Sequence, residues 1–204
     1  MCDVCKMRLY FLCGLFAVHM ISYWATALLS VFLWPRDIPS KCVRVVLRNQ
    51  LGYTAWPALF VSGMYTPPLA EDDGWWIRAM WQLVACVVLT DIFFYPLHRL
   101  MHTKWMYARF HKIHHEFKDP IGAAALYSGR LEHALVNVLP PMLAPAVVGC
   151  DETVFLVWTC VATVNTVIAH AEEEGQHTVH HGTFLRNYGV GLMLMDRVFG
   201  TLAK

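Results

Sequence analysis

Charge is scarce in this chain. Asp, Glu, Lys and Arg make up 15% of its 204 residues, against ~25% in a typical soluble domain. The formal net charge is +1, with no basic run and no low-complexity tract, so nothing in the composition fits a nucleic-acid partner. No HExxH is present, which disfavours zincin-type proteolysis. The paired Glu-x-x-His elements of soluble di-iron bundles are also missing. Without a GxGxxG, any dinucleotide has to be handled by a partner, and reducing equivalents have to arrive from outside. The seven cysteines do not make a disulfide framework. Cys13, Cys86, Cys150 and Cys160 lie in or beside apolar segments and read as small buried hydrophobes. Cys2 and Cys5 form a CxxC with no second half, better suited to lipid attachment or no role than to zinc.

What fills the chain instead is apolar. The hydrophobic fraction is 57% and the mean hydropathy +0.42, which points to a membrane protein. Leu9 to Trp34 carries no charge and is longer than the ~20 residues a bilayer crossing needs. It reads as a retained span, since no small-residue cleavage site follows it. Asn49 to Ala70 is a second uncharged stretch, kinked or re-entrant at Pro57 and Pro67-Pro68. Ala79 to Leu97 is a third, with Asp91 as its one charge. Ala134–Cys150 and Thr153–Ala169 are joined by Asp151-Glu152 and read as a helical hairpin dipping into the membrane, its first arm broken at Pro140, Pro141 and Pro145. Loop charge alternates. Arg36, Lys41, Arg44 and Arg48 mark one side, as do Arg99, Lys104, Arg109, Lys112, Lys118 and Arg130; the segment 71–78 is acidic. The bias places 35–48, 98–133 and the C-terminal tail in the cytosol and the N-terminus in the lumen, with Lys6 and Arg8 arguing mildly against the latter. Trp75, Trp76, Trp81 and Trp105 mark the interface or line a lipid entrance.

Eleven histidines are many for this length, and most are clustered. His98 and His102 are spaced HxxxH. His111, His114 and His115 are spaced HxxHH, and His177, His180 and His181 repeat that pattern. On a helix, positions i, i+3 and i+4 share a face, and neutral imidazole is a good ligand for iron, zinc and copper. Eight clustered imidazoles exceed one tetrahedral zinc and suit two metal ions sharing one site. A pH-sensing histidine surface would not need repeated spacing. His170 ends a membrane segment at the cytosolic side and is expected as a ninth ligand. His133 and His19 read as packed, hydrogen-bonded residues. Asp91, an ionisable group inside a span, is expected to orient a ligand histidine. Glu173 and Glu174 read as a solvated turn, because Gly175 breaks a continuous helix. A metal transporter would need polar residues along its spans, which hold almost none beyond Asp91 and His19.

The stretches HRLMH, HKIHHEFKDP and HTVHH resemble the three histidine boxes of the fatty acid hydroxylase / sterol desaturase superfamily, over roughly residues 79–202. Asp91 and Pro96 resemble the approach to the first box. Glu116 and Pro120 resemble the run after the second, and Tyr127, Leu131 and Glu132 a Tyr-x-x-x-Leu-Glu element beyond it. Asn187-Tyr188 and DRVFGT (Asp196 to Thr201) resemble the family's tail. HKIHHEFKDPIGAAALY is most similar to C-4 methylsterol oxidases and cholesterol 25-hydroxylases, less so to C-5 sterol desaturases and fatty acid 2-hydroxylases. The resemblance implies an endoplasmic-reticulum enzyme with two iron ions at the nine histidines, zinc being possible in a purified form. It further implies O2 as oxidant and electrons from NAD(P)H through cytochrome b5 and a reductase. One departure stands out: only AEEEGQ separates His170 from His177, where the family has a longer segment, and Gln176 stands where a further histidine is common.

The expected fold is therefore all-α: a multi-pass membrane helical bundle with a cytosolic, histidine-rich di-metal cap. Residues 1–78 would supply N-terminal spans and loops, and 79–204 a catalytic domain. The expected activity is oxidation of a sterol or lipid C–H bond, most like a C-4 methylsterol oxidase. The alternatives are a fatty acid or sterol hydroxylase or desaturase of the same family, or a degenerate metal-binding scaffold, a reading that the short 171–176 segment motivates.

Overall fold

The computed structural model describes residues 3–62 and 73–203. Among them there is no strand, and four helices are long and apolar enough to cross a membrane, by length and composition. Helix α1 (Asp3–Leu33) contains the first expected span. It is followed by α2 (Ser40–Tyr53) and α3 (Ala55–Ser62), then by α4 (Trp75–Met101). A short turn, α5 (Lys104–Met106), leads into the histidine-bearing loops. Helix α6 (Arg130–Val148) and helix α7 (Glu152–Ala171) form the hairpin, and α8 (Gln176–Thr183) and α9 (Leu194–Phe199) close the chain. Across the bundle, α4 packs on α6 and α1 on α7, with α6 and α7 joined side by side.

The bundle is apolar outside and partly polar inside. Ile21, Leu28, Phe32, Val84 and Val157 face outward, as lipid requires. Inside, His19 meets Thr163 Oγ1 at 3.2 Å and Gln50 at 3.3 Å, and Trp24 Nε1 donates to Gln50 Oε1 at 3.0 Å. His133 Nε2 lies 3.0 Å from Thr54 Oγ1. Both isolated histidines are thus packed, hydrogen-bonded residues. The interior is more polar than the lack of charge suggests, because Asn, Gln and Thr carry the polarity.

Both hairpin arms remain helical, each long enough to cross a membrane rather than dip into it. Twenty residues of α7 span about 30 Å, the thickness of a hydrocarbon core. Asp151 caps α7 by accepting from Val154 N at 3.0 Å, and Gly149 at φ +72° ends α6 in the left-handed conformation. The expected break at the prolines does not occur. Pro140 and Pro141 fall where the π-helical turn His133–Val138 passes into the α-helical segment Leu139–Val148. Pro145 leaves the carbonyl of Pro141 without its helical donor, and Trp158 Nε1 of α7 donates to that oxygen at 2.7 Å.

The second expected crossing lies partly outside the described residues. Its described part is two short helices rather than one span. These run back from the histidine end, since Lys41 reaches Glu116 while Ala58 packs beside Phe11 and Phe155 in the far half of the bundle. The C-terminal ends of α1, α4 and α7 and the start of α6 therefore gather at one end. Between them runs a buried loop, residues 120–128. A buried loop has polar backbone to satisfy, and the first two helices do so. Tyr23 OH donates to Ala123 O at 2.9 Å and accepts from Leu126 N at 3.2 Å. Asn49 Nδ2 donates to Leu126 O at 3.1 Å and Ser128 O at 3.0 Å. Gly122 is required where the loop threads past α1 and α7, because a Cβ there would stand 2.6 Å from Ser30 Oγ and 3.1 Å from Val167.

Asn49→Ala leaves two buried carbonyls without their donor. We expect a loss of about 2–4 kcal/mol, read as a lower unfolding midpoint in detergent, whereas Leu51→Ala on the exposed face of the same helix changes the midpoint little.

Candidate metal centre

The second histidine box does not sit on an ordinary α-helix. His98 occupies the last turn of α4 and His102 caps it. His111 ends a π-helical turn, Tyr107–His111, closed by Lys112 N to Tyr107 O at 2.9 Å. The wider turn is a common device at functional sites. His114 and His115 follow in a 3-10 turn, His114–Glu116. His177, His180 and His181 ride on α8, and His170 on the last turn of α7.

These nine side chains converge. His98, His102, His111, His115 and His180 form one group, and His114, His170, His177 and His181 another; in each, the candidate ligand atoms lie within 4.8 Å of one another. The groups touch, with the His115 and His181 ring centroids 4.4 Å apart. Each HxxHH is divided between them. Its first and last histidines enter one group and its middle histidine the other, and the second box and third box do this with the groups exchanged. All nine expected site residues are brought together; His19 and His133 are not among them.

The outer nitrogens explain how the rings are aimed. His98 Nδ1 lies 2.7 Å from Tyr188 O, His114 Nδ1 3.3 Å from Tyr127 O and His170 Nδ1 2.9 Å from Thr166 O. His180 Nδ1 lies 2.7 Å from Arg186 O and His181 Nδ1 2.9 Å from Phe117 O. His111 Nδ1 lies 2.7 Å from Glu132 Oε1. Each of these acceptors demands a proton on Nδ1 and leaves Nε2 as a bare lone pair pointing inward. His114 Nε2 and His170 Nε2 then face each other at 3.4 Å with no proton between them, and His180 Nε2 is buried without a partner. Converging lone pairs with nothing to accept are the pattern that a cation relieves, so the residues present fit a bound metal. Burial also holds the rings neutral, the form that ligates. It lowers His111 to about 3 and His114 and His180 to about 4, and neighbouring imidazoles add to the desolvation at His114.

Two carboxylates hold the tail against this site. Asp91 was expected to orient a histidine, but it accepts from two backbone amides instead, Val190 N at 2.9 Å and Met195 N at 2.8 Å. Asp196 accepts from Tyr188 N at 2.9 Å, Gly189 N at 2.5 Å and Thr201 Oγ1 at 2.6 Å. Backbone N–H groups from residues a hundred positions away answer the buried charge of Asp91, leaving nothing for an imidazole. The clamp presents Tyr188 O to His98, and Gly189 is required in it, since a Cβ would lie 2.5 Å from Asp91 Oδ1. The carboxylate that does orient a ligand histidine is Glu132. Its position beside His133, at the buried start of a membrane arm, was the signal for it.

The short 172–175 turn closes without strain in any left-handed residue. Thr178 Oγ1 donates to Glu172 O at 2.5 Å, and Glu173 stays outside, 3.4 Å from Arg36. The turn still sets His170 and His177 4.2 Å apart, centroid to centroid. Gln176 fastens the tail, receiving Asn187 Nδ2 on Oε1 and on its carbonyl, both at 2.9 Å.

Below the histidines a cavity of about 330 Å³ runs into the bundle between α4, α6 and α7, within the usual range for small-molecule sites. His98, His111, His114, His170 and His177 form its head; Val87, Phe94, Trp158 and Ala162 line its depth. Val161 and Leu192 line it and are also exposed, 46% and 55%, so it reaches the surface between α7 and the tail.

A family model described as fatty acid hydroxylase matches residues 83–201. Fatty acid hydroxylase domain-containing protein 2 of Homo sapiens is 34% identical over 127 residues, 59% of this chain and 38% of that protein. Methylsterol monooxygenase 1 of Rattus norvegicus is 30% identical over 181 residues, 79% of this chain and 61% of that protein. Fatty acid hydroxylase ahd1 of Mycosarcoma maydis is 29% identical, covering 92% of this chain and 53% of that protein. The chain thus spans less than two thirds of the length of these relatives. No solved structure matches.

Glu132→Gln keeps the shape but replaces the carboxyl group behind His111 with a carboxamide. Metal affinity, measured by chelator competition on purified protein, is expected to fall roughly 10–100-fold. Glu116→Gln, whose carboxylate faces Lys41 and Tyr127 instead, leaves it unchanged.

Proposed function

The chain belongs to the fatty acid hydroxylase family, and from that premise we propose that it is a membrane-bound non-haem di-iron oxygenase, oxidising a C–H bond of a sterol or related lipid. The observation that carries this reading is the two histidine groups at the head of an apolar cavity that reaches the surface. His98, His102, His111, His115 and His180 would hold one ion, and His114, His170, His177 and His181 the other. When bound, such a pair supplies activation of O2, chemistry that acid–base side chains cannot provide for a saturated carbon. Hydroxylation consumes O2, two electrons and two protons and returns the alcohol and water.

The protein's own contribution is positional. Glu132 and the carbonyls of Phe117, Tyr127, Thr166, Arg186 and Tyr188 fix the imidazole tautomers. The walls formed by Phe94, Trp158 and Ala162 exclude water and hold the lipid with one C–H toward the histidines. Entry past Val161 and Leu192 would take substrate directly from the bilayer.

Within this class we favour C-4 methylsterol oxidation, supported by the similarity to the rat methylsterol monooxygenase along 79% of the chain. Hydroxylation of a fatty acyl lipid is the second reading, favoured by the likeness to ahd1. Electrons would come from NAD(P)H through cytochrome b5 and a reductase, consistent with the lack of a dinucleotide motif here. The setting we propose is the endoplasmic reticulum with the histidine end in the cytosol, residues 79–204 carrying all nine ligands and 1–78 bracing them.

Expression in yeast lacking its own C-4 methylsterol oxidase tests this reading, beside a chain carrying His114→Ala and His115→Ala. C-4-methylated sterols should fall only with the intact chain, and purified intact protein should hold two irons. Two irons without sterol turnover would move the substrate to another lipid, and absence of bound metal would leave a scaffold.

A further inference from the structure

The sequence reads Cys86 and Cys150 as two separate apolar residues, and the fold puts them together. Cys86 lies midway along α4, and Cys150 follows Gly149 in the turn between α6 and α7. Their Sγ atoms are 3.7 Å apart, and both side chains are buried. The backbones meet one turn away as well. Gln82, which precedes Cys86 by one turn of α4, donates through Nε2 to Gly149 O at 3.3 Å. Cys150 N donates to Pro145 O at 2.9 Å, closing the end of α6 and holding the Cys150 backbone in place. Two neighbours on one stripe of α4 thus face two consecutive residues of the turn. Among the described residues, the other cysteines are placed differently. Cys42 Sγ donates to Ala123 O at 3.2 Å, Cys5 and Cys13 are exposed, and Cys160 is half-buried.

A disulfide needs sulfurs about 2.05 Å apart, so this pair has to close by about 1.7 Å. Small rotations about the two Cα–Cβ bonds cover that distance. The pair also lies away from the histidines. Cys86 stands about 18 Å of helix from His98, and Cys150 ends the arm that begins near Glu132. That end of the bundle carries Asp151, Glu152 and the acidic segment 71–78. With the histidine end in the cytosol, it faces the compartment in which thiol pairs are oxidised.

We propose that Cys86 and Cys150 form a disulfide in the mature protein, a covalent strut between α4 and the turn that joins α6 to α7. The inference rests on the proposed orientation of the chain and is independent of its substrate. The oxidant is a donor disulfide of that compartment, carried by a protein oxidoreductase or by glutathione. One cysteine attacks the donor as the thiolate, forming a mixed disulfide and releasing one donor sulfur. The other cysteine then displaces the second donor sulfur. The Cys86–Cys150 bond forms, the donor S–S bond breaks, and two electrons and two protons pass to the donor. Both sulfurs are buried once the chain is folded, so the exchange precedes the docking of α4 on α6. The strut lies beneath the substrate cavity. Val87 follows Cys86 and Trp158 packs in the same apolar cluster as both cysteines, and these two residues line the cavity wall. The bond fixes the spacing between them.

The decisive measurement needs no variant. The full chain is made in yeast, and its microsomes are dissolved in SDS with N-ethylmaleimide, so that every free thiol is capped as the chain unfolds. The protein is then purified, digested without reductant and mapped by mass spectrometry. The peptide holding Cys86 should appear joined to the peptide holding Cys150, lighter by two hydrogens than the two thiol peptides together, and should separate on reduction. Thermal unfolding in detergent reads the strut itself. The bond closes a loop of about sixty residues, so the midpoint should fall by roughly 5–15 °C when a reductant is present. A chain carrying Cys86→Ala and Cys150→Ala should give one midpoint with or without reductant. Recovery of both cysteines as maleimide adducts overturns the proposal, and protease treatment of a C-terminal tag on intact microsomes says how. Free thiols with a digested tag sink the strut and leave the orientation standing. Free thiols with a protected tag sink the orientation first, and the strut with it.

Discussion

Six of the nine imidazoles gathered in this dry place set an outward Nδ1 against an acceptor. An orphaned buried donor costs about 1–3 kcal/mol, so the six Nδ1 anchors seen here constrain the whole molecule. They come from separate parts of the chain: Phe117 and Tyr127 from the loops, Glu132 from α6, Thr166 from α7, Arg186 and Tyr188 from the tail. Each segment has to be held in turn. Tyr23 and Asn49 secure the loop that carries Tyr127, and Asp91 and Asp196 secure the tail that carries Tyr188. The framework can be understood as a set of supports for carbonyl oxygens that point at histidines.

Much of this was legible in the chain. Uncharged runs marked three of the four long helices nearly to their ends, the boxes named eight of the nine converging histidines, and the end of an apolar segment named His170, because apolar length and short spacing are local properties. What escaped was non-local. Asp91 was readable as a buried charge needing a partner, but its partners are amides about a hundred positions away. The prolines of α6 suggested a break, since nothing nearby shows that Trp158 answers the freed carbonyl. The HxxHH spacing implied one helical face, whereas a π turn and a 3-10 turn carry the second box. Glu132 looked like part of a pattern, and its bond to His111 appears only when α6 is folded against the loop.

The lipid setting and the chemistry fit through one geometric fact. The cavity begins at the histidines and reaches the surface beside Val161 of α7 and Leu192 of the tail, within the span of the apolar helices. Shortening the stretch between His170 and His177 leaves this arrangement intact, because four residues suffice to turn the chain from α7 into α8. Thr178 and Gly175 fold the turn onto Glu172, and Gln176 takes a fastening role in place of a further histidine.

The crossed division of the two HxxHH boxes has a consequence for assembly. In a site where each box served its own ion, the halves could load, empty or degenerate separately. Here an ion in either group would draw on histidines from both boxes. A lesion in one box would therefore remove ligands from both positions at once.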